Sequence, residues 1–221
     1  MATDDYRAAF IAFALARGVL GFGTYRLKSG RVSPYFFNAG LFNTGGAVAE
    51  LGRYYARAIA DAGMDFDMLF GPAYKGIPLA TATSVALADQ YGRDVPYAYN
   101  RKEAKDHGEG GTIIGAPIAG RVLVIDDVIS AGSSVAESAN AISEAGGELA
   151  GVVIALDRQE CGEGQRSAVQ EVGLRYGVPV TAIIGLDDLV AYLRNNGDDT
   201  DTLEAIRTYR DHYGVRPEGG G

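Results

Sequence analysis

Cysteine is almost missing. Cys161 is the single thiol among 221 residues, so the chain can form no intrachain disulfide, no Cys-rich zinc site and no CxxC redox pair. That composition fits a reducing compartment. Positive charge is also short: 20 Lys and Arg stand against 28 Asp and Glu, a net charge of −8. A chain of that sign has no overall attraction for phosphate backbones or anionic lipid, which disfavours general nucleic-acid and membrane-surface binding. An anionic ligand would have to be held by local donors working against the overall field. Long apolar runs are missing too. The stretch Ala8 to Ala16 is too short to span a bilayer, and it follows Asp4 and Asp5 where a signal peptide would want positive charge. A soluble, cytoplasmic chain is the expectation.

What is present describes one folded unit, 1–221. The mass of 23.2 kDa suits one domain with a well-covered core. An apolar fraction of 47%, charged residues at 22% and aromatics at 10% exclude a disordered or collagen-like chain. Thr3, followed by Asp4 and Asp5, predicts the start of a helix that buries Tyr6, Phe10, Phe13 and Ala14 and ends at Gly18. Thr24 to Lys28 and Arg31 to Asn38 flank Ser29-Gly30 and predict a hairpin. From residue 44 onward helices and strands alternate. Helices are predicted over Ala47 to Ala62, Pro78 to Gln90, Ser134 to Ala145, Ser167 to Tyr176, Leu186 to Arg194 and Thr200 to Tyr213. Strands are predicted over Phe66 to Phe70, Val95 to Tyr99, Val122 to Ile125, Leu149 to Leu156 and Val178 to Ile184. Such alternation implies an α/β fold with a mainly parallel sheet flanked by helices.

In open parallel sheets ligands collect beyond the carboxyl ends of the strands, and three loops there carry chemistry. The strongest is VLVIDDVISAGSS over Val122 to Ser134. Ser134 and Glu137 have the spacing of a capping box, which puts a helix start at this loop. Backbone N–H groups at that start, close approach at Gly132 and the hydroxyls of Ser130, Ser133 and Ser134 make a phosphate cradle. Asp126 and Asp127 repel phosphate but suit vicinal sugar hydroxyls or a hydrated divalent cation. Hydroxyls beside phosphate indicate a ribose phosphate. Neither a P-loop nor a complete dinucleotide fingerprint is present. The second loop, GPAYKG over Gly71 to Gly76, sets Lys75 where it can meet a phosphate, although taken alone a solvated loop lysine is the better reading. The third, RKEAKDHGEGG over Arg101 to Gly111, mixes charge and glycine. Alone it is a surface loop; it also has the composition of a mobile lid that could bring Arg101, Lys102, Lys105 and His107 to a departing diphosphate.

Taken with the hairpin LKSGRVSPYFFNAG at 27–40, the segment ALDRQE at 155–160 and the ending RTYRDHYGV, these loops resemble orotate phosphoribosyltransferase. The likeness covers nearly the whole chain. The Asp-Asp loop alone marks the broader type I phosphoribosyltransferases, whereas the hairpin and lid are specific to the orotate enzyme. Ser130 departs from the threonine usual in the family and keeps the hydroxyl.

The resemblance implies a type I phosphoribosyltransferase fold with a small N-terminal hood from about 1–45 and a lid at 101–111. It implies a pentosyltransferase that moves ribose 5-phosphate from phosphoribosyl diphosphate to orotate, with Mg²⁺ carried mainly by the diphosphate and water and no direct protein ligand. Asp126 and Asp127 would bind the ribose hydroxyls, while Val128, Ile129, Ser130, Ala131, Gly132, Ser133 and Ser134 would hold the 5-phosphate. Lys28, Tyr74 and Lys75 would face the diphosphate. Phe36 and Phe37 would border orotate, with Arg158 and Ser130 at its carboxylate and ring substituents; core packing is the alternative for either phenylalanine. Arg101, Lys102, Lys105 and His107 would complete the neighbouring site of a homodimer. Lys28, Lys105, His107, Asp126 and Asp127 are the expected catalytic set. The competing readings are another phosphoribosyltransferase and a regulator that senses phosphoribosyl diphosphate; a regulator would want a basic patch or an added DNA-binding segment. Cys161 and His212 are assigned no role.

Overall fold

The computed structural model describes residues 5–27, 29–105, 111–129, 132–162, 164–197 and 200–215, with backbone only at 103–105 and 111. Helix α1 (Tyr6–Ala16) begins one residue after Asp5, whose carboxylate accepts the N–H groups of Arg7 and Ala8. The cap is therefore Asp5, because its short acidic side chain reaches the first free donors. Strands β1 (Leu20–Arg26) and β2 (Val32–Phe37) pair antiparallel as a separate hairpin. Helix α2 (Gly45–Asp61) is capped by Thr44, and α3 (Gly76–Tyr91) lies beside it.

The main sheet holds six strands: β3 (Met68–Gly71), β4 (Tyr97–Lys105), β5 (Gly111–Gly115), β6 (Arg121–Ile125), β7 (Glu148–Asp157) and β8 (Val180–Gly185), in the order β5-β4-β3-β6-β7-β8. All neighbours are parallel except the edge pair β4 and β5. Helices α4 (Ser133–Glu144), α5 (Ala168–Tyr176), α6 (Leu186–Asn196) and α7 (Thr200–Tyr213) complete the chain. The alternation along β6 divides the core. Val122 and Val124 face a cluster with Val135, Ile142 and Val172 of α4 and α5, while Leu123 and Ile125 face the larger cluster of α1, α2, α3, α6 and α7. Four consecutive apolar residues are needed because the strand is covered on both faces.

One expectation is corrected. The segment 101–111, read as a loop, begins and ends as the arms of a hairpin: β4 continues to Lys105 and pairs with β5, with Tyr99 opposite Ile114 and Lys105 opposite Gly111. Thr112, Ile113 and Ile114 are the β-branched run that makes β5. Asn100, Arg101 and Lys102 can extend β4 because an edge hairpin leaves polar side chains in water while their backbone groups are paired.

Close packing of α2 on α3 depends on Gly52, where a Cβ would land on the carbonyl of Ala82. Since backbone cannot yield as a flexible side chain does, Gly52→Ala should lower unfolding stability by about 2 kcal/mol. Urea denaturation should show a lower midpoint at an unchanged slope; an unchanged midpoint would mean that the two helices do not need this contact.

Candidate active site

Strand β6 ends at Ile125, and the next two residues leave the ladder as a pair of buried carboxylates. Asp126 is 7% exposed and Asp127 6%. Each carboxylate meets a different element. Asp126 Oδ2 accepts the Ser134 hydroxyl of α4 at 2.9 Å, and Asp127 Oδ2 accepts Lys75 Nζ at 2.6 Å. The inner oxygens accept backbone N–H groups, Asp127 N to Asp126 Oδ1 at 2.8 Å and Val128 N to Asp127 Oδ1 at 2.9 Å. The backbone is fixed as well: the N–H of Asp126 donates to Val153, the Asp127 carbonyl accepts from Ala155, and the Asp126 carbonyl accepts the Tyr55 hydroxyl at 2.7 Å. Burial first, and then the negative charge of Asp127, raise the Asp126 carboxyl from its ordinary value to about 6, against the opposing pull of the Asp127 N–H and the Ser134 hydroxyl.

The expected capping box does not form. Helix α4 starts at Ser133 after Gly132, which sits at φ +69°, and no side chain caps it. Ser134 lies inside the first turn, where its hydroxyl turns back to Asp126. Among the described residues no side chain takes the first N–H groups of α4, which with the dipole behind them suit an anion. Ser133 is exposed beside them, whereas the side chains of Val128 and Ile129 pack into the two apolar clusters and leave only their backbone to any ligand. Ser130 and Ala131 lie outside the described residues.

The loop after β3 supplies the facing wall. Gly71 and Gly76 approach so closely that a Cβ on either would strike the other's backbone. This tight return carries Lys75 to Asp127. Asn100 Oδ1 accepts the Ala73 N–H at 2.7 Å and so ties the loop to β4. Tyr74 stands 67% exposed, with Lys102 Nζ 5.2 Å from its ring centre. The structure thus brings Lys75, Tyr74, Lys102, Asp126 and Asp127 together at the carboxyl ends of β3, β4 and β6. Lys28 and His107 lie outside the described residues, as does the side chain of Lys105; Arg101 is part-buried on β4.

The hairpin contributes unequally. Phe37 is buried and packs 6.5 Å from Phe10, so its ring belongs to the core. Phe36 remains 41% exposed and stacks on Tyr25 at 5.5 Å. Arg158 lies 4.2 Å from the ring centre of Tyr35, donates Nε to Glu160 at 2.8 Å and donates Nη2 to the Ser33 hydroxyl at 3.0 Å. Glu160 also faces Arg31 at 3.5 Å. The segment after β7 is in this way fastened to β2. Ser33, Tyr35, Tyr55, Asn100 and Glu160 are site partners that the sequence reading missed. Glu160 was detectable from its place two residues beyond Arg158 in ALDRQE; Tyr55 carries no local signal, because its partner is 71 positions away.

Among the described residues no group of three His, Cys, Asp or Glu is arranged to hold a metal, and no helix is long and apolar enough to cross a membrane. The phosphoribosyl transferase domain family matches residues 40–174. An orotate phosphoribosyltransferase of Thioalkalivibrio sulfidiphilus is 59% identical, with 95% of this chain and 99% of the relative aligned. The crystal structure of orotate phosphoribosyltransferase from Francisella tularensis superposes with a TM-score of 0.85 at 44% identity, covering 93% of this chain and 99% of that one. The Mycobacterium tuberculosis orotate phosphoribosyltransferase in complex with 5-phospho-α-D-ribosyl 1-diphosphate is more distant, with a TM-score of 0.61 at 26% identity over 83% of this chain and 98% of that one. On a family match that spans the site and on this degree of likeness over nearly the full length, the chain belongs to the orotate phosphoribosyltransferases.

Proposed function

We propose that the chain transfers the ribose 5-phosphate group of 5-phospho-α-D-ribose 1-diphosphate to orotate, giving orotidine 5′-phosphate and diphosphate, in pyrimidine (UMP) biosynthesis. The observation that carries this reading is the buried Asp126-Asp127 pair opening directly into the uncapped start of α4, with Lys75 against it. Carboxylates accept the ribose hydroxyls, and the N–H groups from Gly132 to Ser134, with the loop from Val128, take the 5-phosphate. Lys75, Tyr74 and Lys28 face the diphosphate. Arg158 and Ser130 meet orotate at the hairpin, beside Phe36 and the backbone of Phe37. The relative crystallised with the diphosphate donor supports this choice of ligand.

A ring nitrogen of orotate bonds to carbon 1 of the sugar as diphosphate leaves with the electron pair of the broken C–O bond. Positive charge grows on the sugar and negative charge on the leaving oxygens, so fixed charges of both signs are needed close together. Asp126 and Asp127 lie on the sugar side. Lys75 is released from Asp127 toward the diphosphate. Mg²⁺ would be held mainly by the diphosphate and water, and there it would neutralise the leaving oxygens. Arg101, Lys105 and His107 act from the lid, which closes over the neighbouring subunit's site in a homodimer and keeps water from hydrolysing the donor, whereas Lys102, beside the Tyr74 ring of its own chain, serves its own site. The lid's support is the position of the paired strands β4 and β5 at the sheet edge.

Loss of orotate absorbance should require both the diphosphate donor and Mg²⁺, and neither hypoxanthine nor adenine should be consumed; turnover of a purine in place of orotate would contradict the assignment. Asp126→Asn and Lys105→Ala should each be nearly inactive alone. Mixed in equal amounts they should recover about a quarter of wild-type activity through hybrid dimers holding one intact site, and no recovery would mean that each chain builds its own site. Because Asp126 titrates at about 6, its charge is lost as pH falls below that value. The donor kcat/KM should then drop by about tenfold per pH unit on the acid side. That limb should vanish in Asp126→Asn; an identical limb in the variant would place the titration elsewhere.

A further inference from the structure

We propose that Tyr55, buried on α2, is the positioning residue for the sugar-binding carboxylate, its hydroxyl fixing the Asp126 carbonyl so that the side chain is aimed at the donor. The inference rests on the reading that Asp126 binds the ribose of the donor. Tyr55 is fully buried, and its hydroxyl donates to the Asp126 carbonyl at 2.7 Å. The other buried positions of α2 are alanine, leucine, isoleucine and glycine, so a single polar group crosses this otherwise apolar face.

The sheet leaves that carbonyl in need of a donor. The Asp126 N–H donates to Val153 of β7, so a regular ladder would next bring the Ala155 N–H to the Asp126 carbonyl, but that N–H goes to the Asp127 carbonyl instead. Tyr55 fills the vacancy from the helix layer. Its depth is set one turn earlier, where Gly52 lets α2 close on Ala82 of α3. Burial, and then the charges of Asp127 and Asp126, hold the phenol well above its ordinary value, so it stays a donor throughout the working pH range. Asp126 is then held at its N–H by β7, at its carboxylate by Ser134 of α4 and at its carbonyl by α2. Without the hydroxyl the carbonyl is buried and unpaired, and the residue can relieve that only by tilting its peptide, which swings the carboxylate.

Tyr55→Phe in the full-length protein removes the donor and keeps the ring. The KM for the diphosphate donor should rise about tenfold, the loss of roughly one buried hydrogen bond, while the KM for orotate, measured at saturating donor, stays within twofold. Should Tyr55→Phe not fold, 4-fluorophenylalanine at position 55 fills the hydroxyl's place without donating and is read in the same way. Placing 4-aminophenylalanine at 55 restores an N–H donor and should bring the donor KM back toward wild type. An unchanged donor KM, or an equal rise in both KM values, overturns the proposal and leaves Tyr55 a packing residue. Asp126→Asn separates the two levels: if it raises the donor KM and Tyr55→Phe does not, only the positioning role is lost. If Asp126→Asn itself leaves the donor KM unchanged, the sugar assignment fails and this proposal with it.

Discussion

Two carboxylates on consecutive residues, both more than nine-tenths buried, repel each other and resist leaving water. They stay where they are because every one of their four oxygens has a donor: two backbone N–H groups, one serine hydroxyl and one lysine. Those donors come from the loop itself, from α4 and from the turn before α3. The repulsion is therefore balanced only when β6, α4 and the β3 loop are all in register. The charge balance is incomplete, which is why Asp126 ends with a raised affinity for its proton while Lys75 stands against Asp127 alone. In the proposed function this pair meets the hydroxyls of the sugar.

The rest of the architecture serves this corner. β6 is a central strand, paired with β3 and β7, and its four apolar residues seal both faces directly below the acids. In a chain of net charge −8, attraction for a phosphorylated ligand has to come from short-range donors. In the proposed function the N–H groups that start α4 and the lysine of the β3 loop are such donors, with the apolar residues of β6 behind them. On the opposite side, Arg158 is stacked on Tyr35 and paired with Glu160, with Ser33 as a third partner. The hood hairpin is thus latched to the segment after β7. Arg31, against Glu160 and the ring of Tyr213, extends the latch to α7.

Much of the site was legible because its signals are local. VLVIDD shows a buried strand ending in acids, and GPAYKG shows a loop between a strand and a helix; both lie where expected. Helix α7 begins and ends where its periodicity placed it, at Thr200 and Tyr213. What failed was non-local or ambiguous. Ser134 and Glu137 have capping-box spacing, but the hydroxyl found a buried carboxylate eight residues earlier, a partner with more to gain from it than a helix N–H. Thr112 to Ile114 form a strand only because β4 is present to pair with them, and the charged composition of 101–111 concealed the arms of that hairpin. Of the two adjacent phenylalanines, alternation along β2 must bury one; the sequence could not say which, and the packing of α1 selects Phe37.

The most direct measurement is a crystal structure of the full chain with 5-phospho-α-D-ribose 1-diphosphate bound. The expected result has the ribose hydroxyls within hydrogen-bond distance of Asp126 and Asp127, the 5-phosphate on the N–H groups that open α4, and Lys75 turned from Asp127 to the diphosphate. Density for the sugar phosphate at any other place, with the Lys75 to Asp127 contact intact and the start of α4 unoccupied, would contradict it.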